Sequence, residues 1–532
     1  MKNKICQDFF LMGLPGARGR PSLWAFGRFP IIGFDSRKEG KMAKNLDKIF
    51  KPESIAMVGA SNVPAKWGSF LLVNLLAGGY PRERIFPVNP REKAIHGLPA
   101  YPSVSALPEA PDLAVVTTPA AAVGGVLEEC ARRGIRNAVV ISSNFSEVGE
   151  EGASLERGLV DIGRRHGLTV VGPNTMGVVN AGHRLYAVGA PVQLRPGTIS
   201  FVSQSGNVGA NMLGWTMNQG IGFGKFVGSG NEALLDASDF IDYFGEDEET
   251  SLILAYLEGV EDGRALMEVI SRTARRKPVV VLKSGRSEEG SRAAMSHTGS
   301  LAGRDEIYDA AFTQAGAVRV DTSQEMLDLA KSFTRLPLPS GDRLGIITLG
   351  GGWGVLATDA AAMAGLRLAK LDDGVREVCD RLLPPYWSHS NPVDLVGNIY
   401  METHLAIMEA MAASPQVDAL VVLGSLGTGT IIGLNVLVSQ QLIMEMSMDA
   451  MKSFFMELRE RNLRLLARAK ELMNAYHKPI LFVEMQFIGE ENLRDLEAGE
   501  TVIFTAPEKA ATILAKMLRY RRYLERDGTT KQ

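Results

Sequence analysis

The most reactive setting in this sequence is KSGRSEEGSRAAMSHTGSLAG (Lys283–Gly303), where His297 stands among small residues just after the apolar run Val279–Leu282. An accessible imidazole with a pKa of ~6.5 is largely neutral at cellular pH, which suits it to attack phosphorus and carry a phosphoryl group. Two further segments have the form strand, Ser/Gly loop, helix: SFVSQSGNVGA (Ser200–Ala210) and GSGNEALLDASDFIDYF (Gly228–Phe244). Such loops turn backbone N–H groups and the positive end of a helix dipole toward an anion. They supply Ser205, Gly206 and Glu232 to the same set of strand-end loops as His297. Taken singly, each is a helix cap, and Glu232 is a capping or surface carboxylate.

An earlier group of strand-end loops makes a second cleft. VGAS (Val58–Ser61) continues to Lys66 and Gly68, and contributes Gly59 and Ser61. IFPVNP ends in Asn89 and Pro90, TTPA holds Pro119, ISSNFSEVGEEG holds Ser142, and GPNTMG holds Asn174. Five polar loops on one sheet edge are a credible ligand cleft. No GxGxxG is present, and no carboxylate ends the second strand, so an adenine dinucleotide held through its ribose is disfavoured. Neither GxxxxGK[ST] nor a metal-ligand cluster occurs, and no metal site is expected. GIITLGGGWGVLATDAA (Gly345–Ala361) and NPVDLVGN (Asn391–Asn398) repeat the loop chemistry further on.

The elements that position these residues alternate between short β-branched runs and helical stretches, which implies βαβ units and parallel sheets. Strands are expected at Ile55–Val58, Ile85–Val88, Leu113–Thr117, Ala138–Ile141 and Thr169–Val171. A second series follows at Thr198–Val202, Leu252–Tyr256, Val279–Leu282 and Ala317–Val320. After the linker-like PLPSGDR (Pro337–Arg343) comes a third, at Leu344–Leu349, Ala419–Leu423, Ile480–Val483 and Val502–Thr505. The division reads as an extension at 1–44, domains at 45–187, 188–337 and 338–515, and a polar tail at 516–532. Residues 438–476 are expected to form a long helical stretch.

A chain of 532 residues exceeds one core. With 45% apolar and 22% charged residues it has the composition of globular domains. A net charge of −3 without a basic stretch leaves no footprint for nucleic acid. Cys6, Cys130 and Cys379 lie far apart, which points to a reducing, cytoplasmic setting. The uncharged window 419–438 is glycine-rich and reads as a buried strand entering a loop, so no membrane span is expected.

In order and spacing, KPESIAMVGAS, IFPVNP, DLAVVTTPA, GPNTMG, SQSG, GNE and SHTGSLAG resemble the α part of the ADP-forming acetyl-CoA synthetases, relatives of the succinyl-CoA synthetase α subunit. The resemblance covers about residues 45–400. It implies an α/β fold: a CoA-binding Rossmann domain followed by two flavodoxin-like, succinyl-CoA synthetase-like doubly wound domains. It places Gly59, Ser61, Lys66, Asn89, Pro90, Pro119 and Ser142 near coenzyme A, and Asn174, Ser205 and Gly206 near phosphate. His297 becomes the phosphohistidine and Glu232 its hydrogen-bond partner. The implied reaction interconverts acyl-CoA, phosphate and ADP with free acid, CoA and ATP. Because no nucleotide-binding part is visible, a separate ATP-grasp β subunit carrying the Mg-nucleotide is expected, in a hetero-oligomer. Thr175 replaces the family's usual cysteine, Ser143-Asn144-Phe145 replaces AGF, and SQSGNVG replaces SQSGALG, which bears on acyl preference. A non-catalytic CoA-binding regulator and a nicotinamide-dependent dehydrogenase are the competing readings.

Overall fold

The structure is a computed structural model that describes residues 46–290, 292, 304–398, 400–426, 448–484 and 501–526. Its first sheet is built from β1 (Ile55–Val58), β2 (Ile85–Val88), β3 (Leu113–Val116), β4 (Asn137–Val140) and β5 (Thr169–Val171), in the order β2-β1-β3-β4-β5. All pairs are parallel. Val and Ile fill these strands because helices cover both faces, and the strands are buried almost throughout. Between β1 and β3 the order reverses, which opens a crevice at their carboxyl ends.

The second sheet holds β6 (Gly177–Asn180), β7 (Leu185–Val188), β8 (Pro196–Ser203), β9 (Phe223–Gly228), β10 (Leu252–Leu257), β11 (Val279–Lys283) and β12 (Val318–Val320). They run β12-β11-β10-β8-β9-β6-β7. The third holds β13 (Arg343–Thr348), β14 (Arg367–Leu368), β15 (Val393–Asp394), β16 (Ala419–Leu423), β17 (Ile480–Val483) and β18 (Ile503–Phe504), in the order β14-β13-β16-β17-β18 with β15 also on β13. One apolar core reaches from Val179 to Tyr520, so the second and third sheets share it across the linker. That linker is anchored: Arg343 donates Nε and Nη2 to the two Asp418 oxygens at 2.9 and 2.8 Å. Among the described residues no helix is long and apolar enough to cross a membrane.

Two expectations need correction, and one strand was missed. The first domain was expected to extend to residue 187, but β6 and β7 form an antiparallel hairpin on β9 and belong to the second sheet. β9 itself was not anticipated, since FGKFVG lacks a β-branched run. The expected tail from 516 is helical as far as Arg526, within Pro507–Arg526. Met517, Leu518 and Tyr520 are buried there, and the Tyr520 hydroxyl donates to the Ala274 carbonyl at 2.9 Å.

The lysine that disguises β9 is buried. Lys225 is 1% exposed and donates Nζ to Asp247 at 2.8 Å and Glu249 at 2.6 Å. Lys51, which follows the short helix Asp47–Phe50, reaches Glu249 at 3.1 Å. The Lys225 ammonium holds the Glu249 carboxyl down at about 2. Lys225→Ala strands the nearly buried Asp247 and should cost ~3–5 kcal/mol in equilibrium urea unfolding at neutral pH. Because Glu249 is depressed, its contribution is present above the ordinary carboxylate range and lost as pH falls toward 2. The gap between variant and wild type should therefore narrow in acid.

Candidate functional site

The first sheet gathers its expected residues at the carboxyl ends of its strands. β1 ends in Gly59, with φ +88°, where a side chain would strike Thr117 Oγ1 at 2.7 Å. Helix Trp67–Ala77 packs so closely that a Cβ on Gly68 would lie 2.1 Å from the Gly59 carbonyl, so this first turn requires glycine on both sides. Ser61 Oγ accepts from the Val63 N–H at 3.0 Å, and Asn89 donates to the Ala60 carbonyl at 2.8 Å. These two side chains therefore fix the loops around the crevice. Lys66 stands exposed immediately before the helix, and Pro90 is exposed on the loop after β2. Pro119 precedes helix Ala120–Arg133, and Ser142 donates to the Thr118 carbonyl at 2.5 Å.

Asn174 lies where this sheet meets the second. Its N–H donates to the Ser142 carbonyl at 2.9 Å, and its side chain donates to Asn231 Oδ1 at 3.1 Å. The loop after β9 packs directly on it. Asn231 N–H donates to the Pro173 carbonyl at 2.9 Å. Gly230, with φ +64°, approaches so closely that a Cβ would stand 2.2 Å from that carbonyl. Asn231 then reaches back to Glu147 at 2.7 Å and Glu156 at 2.8 Å.

Glu232 follows, itself at positive φ (59°). Part of the residue reaches solvent, but Oε1 is enclosed and has no hydrogen-bond partner, while Oε2 accepts from Gln204 Nε2 at 2.9 Å. Gln204 is clamped: its Nε2 also donates to the Gly259 carbonyl at 2.9 Å, and its Oε1 accepts from the Glu258 and Gly259 N–H groups at 2.5 and 3.0 Å. Removal from water pushes the Glu232 carboxyl up to about 8. The nearby Ser229 hydroxyl and the Gln204 amide oppose the rise, and the nearby Asp236 and Glu261 carboxylates add to it. A cleft of about 100 Å³ opens here, lined by Asn174, Gln204, Asn231, Glu232, Glu258 and Glu261 among others.

Next to Gln204, Ser205 caps helix Gly206–Asn218 by accepting from the Val208 N–H. The amides that follow lie at the helix's positive end, next to the Glu232 cleft. The strand leading to His297 ends in Lys283, whose Nζ is bound to the Glu258 and Ser284 carbonyls. His297 lies outside the described residues, as does its expected contact with Glu232. A wider cavity of about 930 Å³ is lined by Trp215, Tyr256, Lys283, Arg286 and Gln324, at the foot of that segment. In the third sheet the two loops singled out from the sequence meet: Leu395 N–H donates to the Thr348 carbonyl at 2.8 Å and Gly397 N–H to that of Leu349 at 3.1 Å.

Sequence reasoning did not single out Gln204, Asn231 or Met176. All three stand inside quoted motifs, so the available signal was their adjacency to Ser205, Glu232 and Asn174. What each side chain does depends on strands distant in sequence. Among the described residues no group of three His, Cys, Asp or Glu side chains could hold a metal ion.

Comparison with known proteins finds three family models in succession: a CoA binding domain at residues 53–181, a succinyl-CoA ligase like flavodoxin domain at 196–333 and a ligase-CoA domain at 344–453. The acetate–CoA ligase [ADP-forming] I subunit alpha of Pyrococcus furiosus is 42% identical over 385 residues, which is 71% of this chain and 82% of the relative. The 4-hydroxybutyrate–CoA ligase [ADP-forming] of Nitrosopumilus maritimus is 37% identical over 377 residues, 70% of this chain and 54% of that longer relative. Among solved structures, acetyl-coenzyme A synthetase 1 of Ca. Korarchaeum cryptofilum, in complex with phosphate and ADP, matches with a TM-score of 0.79 at 33% identity. The match covers 92% of this chain and 100% of that one.

The raised Glu232 carboxyl has a consequence for stability. Its folded value lies above the unfolded one, so the stability it permits is present below the ordinary carboxylate range and is lost as pH rises through about 8. Glu232→Gln keeps the shape without the charge. Its unfolding free energy in urea should match wild type near pH 5 and exceed it at pH 9, by on the order of a few kcal/mol, with the midpoint moving accordingly. Equal midpoints at both values would show that the carboxyl is not held neutral.

Proposed function

The chain belongs to the family of ADP-forming acyl-CoA ligases, and on that premise we propose how its residues divide the reaction of acyl-CoA, phosphate and ADP to free acid, CoA and ATP. CoA lies along the carboxyl edge of the first sheet. Gly59, Pro90, Pro119 and Ser142 shape the crevice, Ser61 and Asn89 hold its loops, and the exposed Lys66 meets the anionic phosphates. Inorganic phosphate lies on the amides after Ser205 and Gly206, beside Asn174.

Attack by a phosphate oxygen on the thioester carbonyl forms the C–O bond and breaks C–S; CoA leaves as the thiolate and takes up a proton. The neutral Nε2 of His297 then attacks the acyl phosphate at phosphorus, and the P–O bond breaks to release the carboxylate. The imidazole becomes positive as the N–P bond forms. A carboxyl group with one unpartnered oxygen, held near neutrality by burial, is the receptor for that charge: it gives up its own proton to water in the cleft as the cation develops, and the resulting carboxylate accepts the Nδ1–H. The observation that carries this reading is the enclosed, unpartnered Oε1 of Glu232 beside a helix start that can hold the anion.

The phosphoryl group leaves for a partner, an ATP-grasp β subunit that binds the Mg-nucleotide, and the two form a hetero-oligomer. Support comes from relatives that are named as subunit alpha. A cytoplasmic setting accords with Cys130 and Cys379, both buried free thiols.

Incubated with acetyl-CoA and radiolabelled phosphate, the wild-type chain should acquire label that is stable in base and labile in acid, as a phosphoramidate is. His297→Ala should acquire none while still binding CoA in calorimetry. Acid-labile label on the His297→Ala chain would remove this residue from the reaction.

A further inference from the structure

Trp67 has no task in the chemistry just assigned, although it stands in the middle of it. It opens helix Trp67–Ala77 directly after Lys66. Half of its surface is open to solvent, at 50%, whereas large aromatic side chains are mostly covered in folded proteins. Its placement is set by Gly189, just after β7. A Cβ on Gly189 would lie 2.3 Å from the indole Cζ3 and 2.7 Å from Met176 Sδ, so ring and thioether lie together over that glycine. Sulfur and aromatic ring attract one another at such range. Met176 extends the surface onward: a Cβ on Gly206 would meet Met176 Cε at 3.1 Å. A continuous apolar shelf therefore runs from the crevice of the first sheet to the first residue of helix Gly206–Asn218.

The substrates leave one part without a partner. The CoA phosphates have Lys66 and the loops of the first sheet, and inorganic phosphate has the helix start after Ser205. The thioester carbon has to lie between the two, and its substituent has to lie against whatever lines that interval. Trp67 and Met176 occupy it, and neither side chain carries a charge. We propose that Trp67 and Met176 form the surface on which the acyl group of the thioester lies, so that these two side chains set how strongly the bulk of its tail is discriminated. The proposal rests on the reading of CoA and phosphate given under Proposed function, and names the specificity-determining residues of that same site.

The test uses the full chain, with CoA, acetyl-CoA and phenylacetyl-CoA as probes. In calorimetry the wild type should bind phenylacetyl-CoA about tenfold more tightly than CoA, the scale on which an apolar contact discriminates. Trp67→Ala and Met176→Ala should each lose most of that increment while keeping their affinity for CoA, and Trp67→Phe should keep most of it. In the labelling assay the rate with phenylacetyl-CoA relative to acetyl-CoA should fall by a similar factor in Trp67→Ala. An increment unchanged in Trp67→Ala would overturn the proposal, as would an equal loss of affinity for CoA and phenylacetyl-CoA, which would place the indole against the carrier. Absence of label on the wild type with every thioester would instead overturn the phosphohistidine reading, and the binding increment would still decide the role of Trp67.

Discussion

A carboxyl group shut away from water with one oxygen unsatisfied is costly, and the loops around Glu232 are built to hold it there. An ionised carboxylate in such a place is disfavoured unless a cation or a set of donors meets it. Only Oε2 is met, by a glutamine whose own four contacts leave it no freedom. The backbone of Glu232 is held at a positive φ, and Gly230 before it is pressed onto the Pro173 carbonyl where no side chain fits. In the mechanism proposed above, the site gains most when positive charge appears during reaction rather than before it.

The same contacts join the sheets. Asn231 binds the Pro173 carbonyl through its backbone and Glu147 and Glu156 through its side chain, so the loop that aims Glu232 also fixes the end of the first sheet. Farther from the cleft, Lys225 and its carboxylates tie β9 to the segment ahead of β1, where Tyr243 also donates to Asp47 at 2.9 Å and stacks on Phe50. A frame braced on both sides keeps strand-end loops from two sheets in register. That is the condition for placing a thioester and a phosphate within bonding distance.

Much of this organisation is written in local pattern. Ile55–Val58, Ile85–Val88, Thr169–Val171, Ala419–Leu423 and Ile480–Val483 are strands to the residue, because continuous β-branched runs between turn-forming residues have few other solutions. β9 was hidden because its lysine is neutralised by residues more than twenty positions away, which no window of sequence displays. The hairpin β6–β7 reads as the close of the first domain, and only its pairing with β9 assigns it elsewhere. The terminal helix hides its apolar stripe among arginines, with Tyr520 and Tyr523 reaching across to the Ala274 and Ser271 carbonyls. In the site, the motifs named loops that the structure brings to the strand ends of the first two sheets. They could not show that Ser61 and Asn89 spend their side chains on the backbone, or that the Glu232 carboxyl is enclosed, since enclosure is a property of the assembled sheets.

The protonation state of Glu232 during turnover is open to direct observation by infrared difference spectroscopy. Spectra recorded before and after adding acetyl-CoA and phosphate should show loss of a protonated carboxyl band as the phosphorylated imidazole forms. The band should be absent from Glu232→Gln and should not change in His297→Ala. A carboxyl band that is missing from the resting wild-type chain, or that persists unchanged while the chain becomes phosphorylated, would contradict the pairing of a buried neutral carboxyl with a developing imidazolium.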